Sequence, residues 1–377
     1  MVKISVIIPV YNDEKYLRQC LDSISSQSLK DIEIICINES TDDSSDILSE
    51  YADKDNRIII LNRKNQGSAI ARNSGLSIAK GEYIGFLDAD DMYIDEKSLE
   101  ILYDTARKYN AEMVSGNLKF LTEKRKIIHN HHYEKTFTYF NEYCEISPDE
   151  YGIPCYFYKN IFRADLLEDI RFHELLRGTD RLFLSQILAK ADIIYGVPID
   201  FYAHMVPTSD KTETYEKKYH YILQYRQCID LLNENELFNT SEKYMDYFIF
   251  ILNNTVDVEY YDIVCEVFSE PENYFKNYKE EYESFKKANI LNKILVENTP
   301  EYYLKTKAEL GLAHESLDEY KTDYFKTQLE IKETEYQEEL AKNNRLKKEF
   351  EREKSFNDEV LNSKSWKMMN KLRKIRG

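Results

Sequence analysis

Between residues 3 and 120 the chain changes its hydrophobic period repeatedly, and this alternation constrains the fold more than any other feature. KISVIIPV (3–10), DIEIICIN (31–38), RIIILN (57–62), EYIGFLD (82–88) and EMVSGNLKF (112–120) are short β-rich runs. Between them lie helical patterns at 14–27, 44–54, 67–80 and 98–110. In the first of these Leu17, Cys20, Leu21 and Ile24 share one face. The third reads as ending at Gly81, a candidate C-cap. Strand and helix alternating at this spacing predict an α/β domain with right-handed crossovers and a mostly parallel sheet. Ligands of such sheets bind at the carboxyl ends of the strands. Those ends are Pro9 to Asn12, Asn38 to Ser40, Asn62 to Asn65, and Asp88-Ala89-Asp90.

The last of these ends, in YIGFLDADDMY, sets Asp88, Asp90 and Asp91 directly behind an apolar run. Carboxylates this close repel, and a divalent cation with hard oxygen ligands would offset the repulsion. Asp-x-Asp alone is weak evidence, because acids are also common in loops and at helix starts. Asp91 reads as a cap for the segment that follows.

The chain carries 68 acidic against 51 basic residues, a formal charge of -17, which argues against general nucleic-acid binding. No stretch approaches the ~20 apolar residues of a membrane span, and no signal-peptide cleavage pattern stands at the N-terminus. Six scattered cysteines without a C-x-x-C pair fit reduced, mostly buried thiols in a cytoplasmic protein. Residues 121–210 are less regular, and 211–300 read as a helical, Tyr-rich domain. From 301 to 361 apolar residues recur every seven in two registers, which predicts a long charged helix. That helix is read either as a self-associating coiled coil or as a solvated helix. The tail 364–377 carries six basic residues and an apolar stripe of Trp366, Met369, Leu372 and Ile375. It suits peripheral contact with an anionic membrane surface, here the inner face, or a cap on the helix. His129, His131 and His132 lack a fourth ligand at useful spacing and read as a solvated loop rather than a zinc site.

Three stretches carry a resemblance: ISVIIPVYNDEKYLRQCLDSISSQSLKDIEII, NQGSAIARNSGLSIAKGEYIGFLDADD and LLRGTDRLFLSQIL. Together they resemble family 2 inverting glycosyltransferases of the GT-A fold, bacterial surface-polysaccharide type, over about residues 3–210. The resemblance implies a 1–210 catalytic domain, with a nucleotide-binding half (1–120) and an acceptor half (121–210). It also implies a nucleotide-sugar donor, UDP-linked by expectation, a Mn2+ or Mg2+ cofactor, and a glycan or lipid-linked glycan acceptor. Pro9 and Tyr11 would line the base pocket, while Asn65 and Arg72 would contact base and diphosphate. Asp88 and Ala89 would face the donor, and Asp90, with Asp88, would hold the metal. Asp180 would be the general base, and His204 and Ser209 would close over the diphosphate.

Two departures stand out. The family's Asp-Asp-Gly-Ser-Thr-Asp is shortened to Asn38-Glu39-Ser40-Thr41-Asp42, which leaves base reading to Glu39 or Asn38. The family's Glu-Asp pair is Thr179-Asp180. Both departures motivate an alternative, a non-catalytic nucleotide-sugar-binding or scaffolding member. A nucleotidyltransferase is weaker still, because PVYND follows the first strand where those enzymes usually carry a Gly-rich phosphate loop. His204, where Arg is commoner, is read as a phosphate contact, a metal ligand or a structural residue. Arg72 is read as a diphosphate contact or as the partner of a surface acid.

Overall fold

The computed structural model describes residues 1–122, 127–128, 138–205, 214–254 and 259–297. Ser209, the three histidines at 129–132, the 301–361 heptads and the 364–377 tail lie outside the described residues. Residues 1–296 form one compact unit.

The sheet begins with β1 (Ile4–Val10), β2 (Ile32–Asn38), β3 (Ile58–Asn62) and β4 (Tyr83–Phe86). Every residue of β2 is buried, as a strand covered on both faces requires. Helices α1 (Leu17–Ser25), α2 (Ser44–Ala52) and α3 (Ser68–Ile78) make the crossovers, and α1 buries the predicted Leu17, Cys20, Leu21 and Ile24 face. The order β3-β2-β1-β4 is parallel throughout.

Pro9 sits inside this central β1, where a proline is normally excluded. It is tolerated because β4 pairs with β1 only as far as Ile7–Phe86. The Leu87 amide bonds to the Ile7 carbonyl, so alternate residues from Ile7 face β4, and the N–H that Pro9 lacks would point past its end. The gap that this early ending opens is where the Asp88–Asp90 segment lies.

Beyond β4 the sheet departs from a simple α/β series. After β5 (Met92–Tyr93), α4 (Ser98–Tyr109) and β6 (Met113–Leu121) come β7 (Ile127–Ile128), β8 (Cys144–Ile146) and β9 (Asn160–Arg163). Strand β9 inserts antiparallel between β4 and β6. After α5 (Thr179–Leu188), the long β10 (Ile194–Met205) runs parallel to β6. Register shifts between Gly196 and Tyr202 carry its far end onto β5. Phe86, Phe157, Phe162, Phe172 and Phe183 interlock beneath this junction, with Phe172 and Phe183 stacked at 3.8 Å.

The remaining helices are α6 (Tyr215–Glu234), α7 (Phe238–Asn254), α8 (Glu259–Val267), α9 (Pro271–Tyr274) and α10 (Lys279–Glu297). They bury Tyr225, Tyr244, Phe248, Phe275 and Tyr282 in a second core that also takes in Ile153, Cys155 and Leu182. Each such aromatic stabilises the fold by ~2 kcal/mol or more. The Tyr-rich composition of 215–300 is therefore the price of a helical core packed against the start of α5.

Gly81 is not the helix cap expected from sequence. Helix α3 ends at Ile78, with Ala79 already extended. Gly81 is required instead by close approach, since a Cβ there would run into the Ser5 backbone, whose side-chain Oγ accepts from the Gly81 amide at 2.7 Å. The six cysteines are free; Cys20, Cys36, Cys155 and Cys228 are buried.

Candidate active site

The strand ends open into one cleft of about 230 Å³. Pro9 and Tyr11 enter it from the end of β1 and Glu39 from the end of β2. Asn65 and Arg72 come from the loop and first turns around α3, and Asp88, Ala89 and Asp90 from the segment after β4. Eight residues singled out from the sequence thus line one wall-to-wall site. Asp13 joins them. Burial raises its carboxyl above the ordinary value, against the Tyr11 amide and with the charges of Asp88, Asp42 and Asp91.

The three carboxylates of the DADD stretch have three different fates. Asp88 pairs with Arg72 at 2.6 Å. Arg72 is itself buried, lies over the rings of Phe157 and Phe172 at 5.1 and 5.4 Å, and keeps its Nε without a hydrogen-bond partner. Its partner is therefore a cleft acid rather than a surface one.

Asp91 is no simple cap. It is only 1% exposed and accepts from Tyr202 Oη at 2.7 Å, from the Met205 amide at 2.8 Å, and shares a bond with His204 Nδ1 at 3.0 Å. Tyr202 Oη in turn accepts from the Asp88 amide at 3.0 Å. The end of β10 is thereby tied to the backbone of the acidic segment. Burial pulls His204 down, but the Asp91 hydrogen bond and charge outweigh it and hold the imidazole above its usual value.

Asp90 makes no side-chain hydrogen bond or ion pair among the described residues. Burial, then the charges of Asp91, Asp88 and Asp13, push it up to about 7. It is the carboxylate whose repulsion the chain leaves uncompensated.

The two candidates for base reading separate. Asn38 turns inward and donates to Ser45 Oγ and Asn62 Oδ1, both at 2.8 Å. Glu39 lines the cleft. One of its oxygens accepts from the Gln66 amide at 3.3 Å, and the other is buried with no partner. An orphan acceptor of this kind is costly unless a ligand N–H reaches it. Asn65 Oδ1 accepts from the Gly67 amide at 3.0 Å and fixes the turn into α3, where Gly67 has φ 94. Tyr11 stands half exposed at the lip.

Asp180 lies in the first turn of α5, outside the lining of this cleft, though its charge bears on the Arg72 guanidinium. Gly178 precedes it with φ 87, and a Cβ there would collide with Gln224 of α6. Sequence reasoning missed Tyr202 and the tying role of Asp91. No local signal marks them, because their partners lie more than 110 residues apart.

Residues 5–170 match the family model described as Glycosyl transferase family 2. Glycosyltransferase GlyA of Streptococcus pneumoniae serotype 4 is 31% identical over 230 residues, 59% of this chain and 33% of its own length. A poly(ribitol-phosphate) beta-glucosyltransferase of Bacillus spizizenii is 41% identical over 123 residues, 31% of this chain and 19% of its own. The chain thus spans little more than a third of the length of the first curated relatives it matches. Among solved structures, S. aureus TarS 1-349 superposes with TM-score 0.58 at 18% identity, over 79% of this chain and 92% of that one, a likeness of fold. Residues 5–170 of the chain thus carry a domain that matches glycosyl transferase family 2.

Proposed function

We propose that the protein transfers a sugar from a nucleoside diphosphate donor, UDP-linked, to a hydroxyl of a bacterial surface-glycan acceptor, with inversion at the anomeric carbon. One observation carries the reading: eight strand-end residues converge on one cleft, in which Asp90 alone of three clustered carboxylates lacks a partner within the described chain. The TarS fold neighbour has been solved with UDP and with UDP-GlcNAc, which supports a UDP donor.

In this reading Tyr11 stacks on the base and the orphan oxygen of Glu39 accepts a base N–H. Asp88, held by Arg72, faces the donor. A Mn2+ or Mg2+ would be held by Asp90, with Asp88 beside it, since both carboxylates offer hard oxygen ligands; among the described residues no larger set of acids or histidines surrounds them. When bound, such an ion stabilises the negative charge of the departing diphosphate. Asp180 takes the proton of the acceptor hydroxyl as that oxygen attacks the anomeric carbon. The new C–O bond forms opposite the bond that breaks, so configuration inverts and the bond's electron pair leaves with the nucleoside diphosphate. His204 acts on the cleft by holding Asp91.

The test is hydrolysis and transfer of UDP-sugars with Mn2+, for wild type against Asp90→Ala and Asp180→Asn. Failure of every nucleoside diphosphate to bind, with either metal, ends the proposal. Binding without hydrolysis or transfer to any acceptor would favour a non-catalytic sugar-nucleotide carrier. No helix among the described residues is long and apolar enough to cross a membrane. The proposal assigns inner-face attachment to 364–377 and self-association to 301–361. Vesicle co-sedimentation with and without the tail tests the first, and light scattering of the chain shortened to residue 300 tests the second.

A further inference from the structure

Asp88, Ala89, Asp90 and Asp91 form a tight turn just past the end of β4, closed by the Asp91 amide donating to the Asp88 carbonyl at 3.0 Å. The two central residues, Ala89 and Asp90, line the cleft. The two ends meet at one side chain. Tyr202 Oη accepts from the Asp88 amide at 3.0 Å and donates to Asp91 Oδ2 at 2.7 Å. A phenol has one donor and a lone pair to accept with, so both bonds form at once.

The sheet explains why a side chain is needed there. Successive amides of a strand point to opposite neighbours. The Leu87 amide goes to Ile7 of β1, so the Asp88 amide faces the other side, that of β9. Strand β9 pairs with β4 only at Tyr83, Ile84 and Gly85, and has ended before Asp88. Tyr202 takes over that role from the next strand but one. It follows a register shift of β10 on β6 between Asp200 and Tyr202, after which pairing runs one to one as far as Met205–Leu121. Irregularities of this kind re-aim side chains next to ligand sites. The Tyr202 ring is wholly buried, stacked on Tyr158 at 4.4 Å and edge-on to Tyr93 at 6.0 Å. A phenylalanine would make the same ring contacts. Among the described residues the hydroxyl bonds only to this turn.

We propose that Tyr202 is a positioning residue of the donor site: its hydroxyl staples the turn that presents Asp90, and so sets how strongly a divalent cation couples to nucleoside diphosphate binding. This deepens the glycosyltransferase reading and rests on it for the cation and the diphosphate. The staple commits Asp91 to the fold and leaves Asp90 to the ligand. Without it the ends of the turn part, and the Asp90 carboxylate loses its fixed direction while keeping its charge.

The experiment compares the full chain as wild type, as Tyr202→Phe and as Tyr83→Phe. Tyr83 is the control: it is 1% exposed, and its hydroxyl donates to the Ala111 carbonyl at 2.9 Å, outside the cleft lining. Amide hydrogen exchange of the unliganded chain, by mass spectrometry of peptides spanning 87–91, reads the staple without any metal. Calorimetric titration of UDP with and without saturating Mn2+ reads the gain in affinity that the ion confers. In Tyr202→Phe, exchange should quicken ~10-fold. The Mn2+-dependent gain should shrink ~10-fold, with metal-free UDP affinity within about twofold of wild type. Tyr83→Phe should match wild type in both. An unchanged Mn2+ gain in Tyr202→Phe, or an equal loss in Tyr83→Phe, overturns the proposal and leaves Tyr202 a residue of the core. Where Tyr202→Phe fails to fold, Asp91→Asn decides: quicker exchange with a smaller gain upholds the staple, and unchanged exchange overturns it. If wild type binds UDP but gains nothing from Mn2+, the metal reading falls and the proposal with it. If wild type binds no UDP at all, the donor reading itself falls.

Discussion

Two arginines, Arg72 of α3 and Arg181 of α5, are built into the fold differently. Both lie over aromatic rings, the buried Arg72 on Phe157 and Phe172 and the half-buried Arg181 on Tyr221, Tyr225 and Tyr247. Arg72 is paired with a carboxylate at 2.6 Å, whereas among the described residues Arg181 hydrogen-bonds to hydroxyl and thiol groups. The donor edge therefore gathers carboxylates, of which Asp90 lacks a direct partner among the described residues, while the start of α5 sets Asp180 and Arg181 next to each other in sequence.

The largest effects should come from removing the acids that the comparison leaves unpaired. Asp180→Asn should lower kcat by ~10²–10⁴-fold with the donor KM little changed, because a general base acts on the acceptor proton alone. Asp90→Ala should abolish the stimulation of activity by divalent cations as well as most of the rate. Initial rates across a Mn2+ series check both. Residual rates within tenfold of wild type would remove these residues from the reaction.

Next comes stability, where the two arginines should part. Arg72→Gln strands Asp88 as a partly buried, unpaired charge and should cost about 2–3 kcal/mol. Arg181→Gln strands no anion and loses mainly ring contacts and neutral hydrogen bonds, about 1–2 kcal/mol. Urea unfolding of both variants ranks them, and equal losses would break the distinction. A smaller effect belongs to Glu39. Glu39→Gln replaces a charged acceptor with a neutral one and should weaken UDP binding by roughly tenfold, about 1.4 kcal/mol, with the melting temperature of the unliganded protein nearly unmoved.

How far these sites were legible in sequence depended on how local their causes are. The run from Ile4 to Phe86 writes each strand and helix in its own residues, so the parallel half and its ligand-bearing ends could be read directly. Strand β9 could not, because Asn160–Arg163 is four residues long and gains its place only by pairing with β4 and β6. Gly81 looked like a helix stop but answers to Ser5, 76 residues away. Asp91 looked like a cap, yet it is held by Tyr202, His204 and Met205 at the far end of β10. Glu39 and Asn38 were equivalent in sequence, and only the inward bonds of Asn38 separated them.

A further buried cation differs from both arginines. Lys159 is 1% exposed, donates to the Thr138 carbonyl at 2.6 Å, and lies over Phe140 and Tyr151 at 5.3 and 5.9 Å. Like Arg181 it is paired with no carboxylate among the described residues, but an ammonium can lose its proton where a guanidinium cannot. Burial pulls it down to about 7 from an ordinary 10.5. Between those values the unfolded chain holds the proton and the folded chain does not, so stability rises with pH, by at most about 1.4 kcal/mol per pH unit. Below about pH 7 both states are protonated and the full penalty for a buried charge remains. Lys159→Met has no such group. Its advantage over wild type should therefore be greatest at pH 7 and shrink steadily towards pH 10. Urea midpoints at pH 7, 8 and 9 read this difference directly, and a gap that does not change with pH would mean that Lys159 stays charged in the fold, as Arg181 does.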